Sequence, residues 1–187
     1  MSQFEYLSVF VSIVLGLGVA HLLSGVARLI HNRNRWRLDP LHGLWTLVTF
    51  YVLVLNWWVF FQASAIPEWT FGAFIVVVSW AVLFYLLAVV LYPPDMGDRE
   101  DYGAVFEGNR RWFLGLWVAS SVADILLTDL RGDLFDPPEY LPFVGHFIVL
   151  GLLALVIRSR RFQIFVAGWV LFIGLAWALG VRRLLVG

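Results

Sequence analysis

Six apolar runs, each long enough to cross a bilayer, leave this chain little with which to build anything else. A membrane-spanning helix needs roughly 20 mostly apolar residues to cover a ~30 Å hydrocarbon core. Segments at about 4–30, 41–63, 69–92, 112–130, 140–158 and 162–183 meet that requirement. Pro40, Pro67, Pro93, Pro94, Pro137, Pro138 and Pro142 fall between the runs or at their starts, where a missing N–H costs little. The first run is too long and too evenly apolar for a signal peptide, and it lacks a basic start and a small-residue cleavage site. Of the 187 residues, 61% are hydrophobic and 14% charged, whereas a soluble domain is nearer half apolar and about a quarter charged. The expected fold is all-α: a single polytopic membrane domain over residues 1–187, built as an integral bundle of six transmembrane helices.

Threading follows from the arginines, because basic residues in short loops stay cytoplasmic. The face reached after odd-numbered runs carries Arg28, Arg33, Arg35, Arg37, Arg99, Arg110, Arg111, Arg158, Arg160 and Arg161; the other face carries only Arg131, Arg182 and Arg183. Both chain ends are therefore expected on the non-cytoplasmic side, in a bacterial-type inner membrane. Arg182 and Arg183 run against the rule, two charges against ten. Trp36, Trp45 and Trp112 are placed near the inner interface and Trp57, Trp58, Trp69 and Trp177 near the outer one. Trp80, Trp117 and Trp169 lie deeper and read as packing residues.

All 13 basic residues are Arg, and the chain has no Cys. Without Lys there is no Walker A lysine, Schiff base or lysine general base. Without Cys there are no disulfides, thiolate zinc sites or iron–sulfur ligands. No glycine-rich phosphate loop is present, and the Arg33–Arg37 stretch reads as an anchor on anionic lipid rather than a nucleic-acid surface. A bis-histidine haem is disfavoured because His21 counts about eight residues, or ~12 Å, deeper than His42. His146 belongs near the opposite surface. No cofactor, metal site or enzymatic activity is expected.

Polar side chains at bilayer depth cost roughly 2.5–3.5 kcal/mol on insertion unless paired, so they are the first place to look for function. Asp124 stands six residues before the outer end of the fourth run and His146 six after the outer start of the fifth, each ~9 Å deep. Neighbouring antiparallel helices would let this carboxylate and imidazole meet. Ser121, Asp124 and Thr128 share one helix face; Glu5 and Ser8 enter from the same side on the first run, and Asn56 reaches a similar depth on the second. These residues are expected to form one polar layer in the outer half of the bundle. It is either a proton-titratable site or hydrogen-bonded glue between helices, and such bonds average only ~0.6 kcal/mol.

Two further patterns bear on partners. Ser12, Gly16, Ala20 and Ser24 repeat at four-residue spacing, which allows close approach of another helix, either of this chain or of a second copy. Between Asp98 and Arg111, a capping pattern followed by Tyr102, Val105 and Phe106 suggests a short amphipathic helix on the inner interface, or else a solvated loop. The functional expectation is a small channel or transporter worked by Asp124, His146, Glu5, Asn56, Ser121 and Thr128. The alternative is a non-catalytic scaffold subunit of a larger respiratory or photosynthetic membrane complex.

Overall fold

The computed structural model describes residues 2–94 and 101–181. Helices α1 (Gln3–His31), α2 (Pro40–Val59), α3 (Phe71–Leu91), α4 (Tyr102–Arg131), α5 (Tyr140–Val156) and α6 (Arg160–Ala176) follow in order. A 3-10 turn, Phe60–Ala65, extends α2, and a π-wound segment, Trp177–Val181, extends α6. Among the described residues there is no strand, only an isolated bridge between Arg37 and Asp101. Five segments, Gln3–His31, Pro40–Ala65, Phe71–Leu91, Tyr102–Arg131 and Arg160–Gly180, are long and apolar enough to cross a membrane.

The sixth helix, α5, has 17 residues, about 26 Å at the usual rise. It stops at Val156, two residues before the end expected from hydropathy, for a polar reason. Arg110 of α4 donates to the carbonyls of Ala154 and Leu155. Gln163 of α6 donates to those of Ala154 and Ile157, each at 2.8 Å. These side chains satisfy carbonyls that a helix end otherwise leaves orphaned.

The starts of α1, α2, α3 and α4 are capped by polar side chains. Ser2 and Glu5 close a capping box at α1, Asp39 accepts from the His42 N–H, and Thr70 accepts from Ala73 N–H. Asp101 accepts from Gly103 N–H at 2.8 Å and opens α4 directly. The separate interfacial helix expected after Asp98 is thus replaced by the first turns of one 30-residue helix; Asp98 itself lies outside the described residues. Its apolar face is real but meets protein. Tyr102 packs edge-on against Trp36 and Phe106 stacks on Trp45, and all but Trp36 are buried. Trp45, placed at the interface by its position in the sequence, is in the core instead. Gly132, with φ of +81°, ends α4 in the left-handed conformation that glycine adopts without strain.

Contacts fix how the helices run. On α1 and α3, Gly18 faces Tyr85 and Gly25 faces Tyr92, both 67 positions apart, so these helices are parallel. A Cβ on Gly25 would sit 2.2 Å from Tyr92 Cγ, so only glycine admits this ring. Helices α2 and α6 are also parallel, joined by the Asp39–Arg160 ion pair and by Tyr51 Oη donating to Gly174 O at 2.7 Å. Helices α3 and α4 are antiparallel, with Asn109 reaching Val90 O at one end and Trp80 reaching Asp124 farther along. Among the described residues, no helix packs closely along the small-residue stripe of α1, although Ser12 Oγ accepts from Trp57 Nε1 of α2 at 3.1 Å. Ser12, Gly16, Ala20 and Ser24 are all exposed, nothing lies within 4 Å of a Cβ on Gly16, and close approach occurs at Gly18 and Gly25.

At the arginine-rich end, the last carbonyls of α3 collect donors from three helices. Asn109 bonds Val90 O at 3.2 Å, His42 Nε2 bonds Leu91 O at 2.9 Å, and His21 Nε2 bonds Tyr92 O at 2.8 Å. Arg28 continues the series to Pro93 O and Pro94 O. The depth separation read from residue counts for His21 and His42 does not hold: they serve consecutive carbonyls. Counting from each helix's own end assumes that the ends lie in one plane, whereas α1 runs on to His31 past the end of α3.

Candidate functional site

At the opposite end of the bundle, polar groups from four helices do something other than cap. The second half of α2 and its 3-10 turn, the outer part of α4, the start of α5 and the end of α6 surround a cavity. Its volume is about 150 Å³, room for about five waters at ~30 Å³ each. One wall is polar: Asn56, Gln62, Ser120, Ser121, Asp124, Thr128, Arg131 and Tyr140. The other is aromatic and aliphatic, with Phe84, Trp117, Phe143, Phe147 and Trp177; Phe143 and Trp177 stack with centroids 4.1 Å apart.

The polar wall is wired as a directed chain. Arg131 Nη2 donates to Thr128 Oγ1 at 3.0 Å, Thr128 Oγ1 donates to Tyr140 Oη at 2.8 Å, and Tyr140 Oη donates to Asp124 Oδ2 at 2.8 Å. Trp80 Nε1 donates to Asp124 Oδ1 at 3.2 Å. A guanidinium only donates and an ionised carboxylate only accepts, so with Asp124 ionised both intervening hydroxyls must point the same way. Arg131 also donates to Gln62 Oε1 at 3.3 Å, and its Nε lies 3.7 Å from Asp133 Oδ2. The Arg131 side chain is 8% exposed, so its charge is held by these partners rather than by bulk water.

Of the residues expected in the polar layer, Asn56, Ser121, Asp124 and Thr128 line this cavity together. Glu5 and Ser8 do not: Glu5 closes the α1 capping box and Ser8 Oγ donates to Glu5 O at 2.8 Å. Nor is His146 brought to Asp124. Its ring packs on Phe143 and Phe147, its Nε2 is buried with no hydrogen-bond partner, and Tyr140 takes the place expected for it. Tyr140 stands six residues before His146 on α5, ~9 Å along the helix, and the His146 position lies off the face that carries Tyr140, Val144 and Phe147 into the cavity lining.

Arg131 was readable as a site residue. Ser121, Asp124, Thr128 and Arg131 succeed one another at spacings of three, four and three, one continuous helix face. Gln62 was not readable, because the 3-10 turn at Phe60 changes the angular step after Asn56. Compared with protein-family models, curated proteins and solved structures, the chain matches none.

Proposed function

We propose that this chain is a six-span inner-membrane protein, both ends outside, that carries a small solute or ion in a proton-linked way through its outer-half cavity. The observation behind this reading is the Arg131–Thr128–Tyr140–Asp124 chain ending in a cavity of water-holding size. Protonation of Asp124 puts a hydrogen on a group that until then only accepted. Protonation also removes the charge that the Tyr140 hydroxyl answers, so that bond weakens and is free to reverse, which would reorient the hydroxyls of Tyr140 and Thr128 and change the polar wall facing the solute. Glue needs neither the cavity nor the buried Arg131. The inner-half polar groups, spent on helix carbonyls, illustrate what purely structural polar residues do in this bundle.

The six-span topology requires α5 to cross with 17 residues, the lower end of the workable range of about 17–25. Its arginine-lined inner end and the ten-to-three arginine distribution support both ends lying outside. A second reading, a subunit of a larger membrane assembly or a homo-oligomer, draws support from the exposed Ser12, Gly16, Ala20 and Ser24 stripe. Proteoliposomes holding a pH-sensitive dye separate the two. Proton movement that depends on Asp124 supports transport; no proton movement by the parent protein, together with co-purifying membrane polypeptides, supports the subunit.

A further inference from the structure

Resting on the transport reading, we infer that the cavity selects an organic ammonium ion, which competes with a proton for the Asp124 carboxylate. The argument begins with which hydrogen-bonding capacity the wall has left. Ser120 Oγ and Ser121 Oγ both donate to Trp117 O, at 2.9 and 3.0 Å, and Tyr51 Oη donates to Gly174 O. Each hydroxyl has thus committed its only hydrogen to backbone and offers a ligand lone pairs alone. Asn56 Nδ2 donates to Val52 O at 2.8 Å, leaving its Oδ1 as an acceptor and one N–H. The Asp124 carboxylate adds negative charge, and the remaining donors are the Gln62 amide hydrogens and the uncommitted N–H groups of Arg131, whose buried Nε has no hydrogen-bond partner. Arg131 already gives hydrogen bonds to Thr128 and Gln62, with Asp133 beside it.

A wall richer in acceptors than donors wants a ligand that brings hydrogens. The aromatic part of the lining, Phe84, Trp117, Phe143, Phe147 and Trp177, suits a cation and also buries an apolar body. An alkyl- or arylammonium meets the acceptor hydroxyls, the carboxylate and the aromatic rings, whereas a carboxylate or phosphate finds donors only at Arg131, Gln62 and Asn56. A proton and a monovalent ammonium each neutralise one carboxylate, so the two compete for Asp124.

Three probes of nearly equal shape test this: benzylammonium, benzyl alcohol and benzoate, titrated calorimetrically into the purified full-length protein in nanodiscs. Benzylammonium is expected to bind at least about tenfold more tightly than either of the others, a margin of about 1.4 kcal/mol. Asp124→Asn should remove that preference while leaving the weak binding of benzyl alcohol. Should that variant not fold, Phe143→Leu serves, lying outside the hydrogen-bond chain and weakening benzylammonium more than benzyl alcohol. Equal binding of the three probes, tighter benzoate, or no saturable benzylammonium binding overturns the inference. Proton flux measured without any amine decides the transport reading separately: Asp124-dependent flux with no ammonium preference leaves that reading standing and removes only this one.

Discussion

Tyr140 donates its phenolic hydrogen to Asp124 Oδ2 at 2.8 Å, a bond between α5 and α4 that makes one phenol the link between Thr128 and the carboxylate. Tyr140→Phe deletes that link without changing the ring's volume. Stability should fall by about 0.6–1.7 kcal/mol, the usual range for a hydrogen bond between membrane helices, and proton-linked transport should drop sharply. Thr128→Val should act in the same direction. A double-mutant cycle on unfolding in mixed micelles should show the two losses to be less than additive; strict additivity would count against a connected chain.

Gly25 and Gly16 form a matched pair on α1. Gly25→Ala drives a methyl to 2.2 Å from Tyr92 Cγ and should cost about 1–3 kcal/mol through overpacking, with visible loss of folded protein. Gly16→Ala meets nothing within 4 Å and should leave the monomer's melting temperature unchanged or slightly raised. Equal effects at the two sites would contradict the parallel α1–α3 packing.

His21 and His42 cap carbonyls, which only accept, so each ring must carry its hydrogen on Nε2. Nitrogen-15 NMR of histidine-labelled protein should find that tautomer at both positions. His21→Leu and His42→Leu should each destabilise by about 1–3 kcal/mol, the cost of an unsatisfied buried carbonyl, with transport retained in the folded fraction.

Asp39 bears on pH dependence at the inner surface. Burial opposes its ionisation, yet Arg160 and the His42 N–H hold its carboxyl below the ordinary value of 3.8. A lowered folded-state pKa supplies stability that is present above the unfolded value and lost as pH falls below 3.8 through the folded one. Arg160 is 52% exposed, so the pair is worth no more than about 1 kcal/mol. Thermal unfolding followed down from about pH 5 to about pH 3 should weaken less steeply in Arg160→Gln than in the parent.

Helix positions and the shared face of Ser121, Asp124 and Thr128 were legible because each depends on residues within one helix. Apolar run length places α1, α2, α3 and α6, and three-and-four spacing puts Ser121, Asp124 and Thr128 on one face. Relationships between helices were not legible in the same way. Whether α5 offers His146 or Tyr140 to Asp124 depends on its rotation, and the convergence of His21 with His42 depends on how far α1 overhangs α3. Polar residues in the apolar helices look alike in sequence and divide in the fold: those at the arginine-rich end cap helix ends, while those at the opposite end line a cavity.

The central claim is that Asp124 is a working titratable group, and proton flux through Asp124→Asn in proteoliposomes tests it most directly. The parent protein should acidify dye-loaded vesicles under an imposed proton gradient, and the variant, folded by circular dichroism and monodisperse by gel filtration, should show background flux only. A folded Asp124→Asn protein that carries protons as fast as the parent would contradict the account.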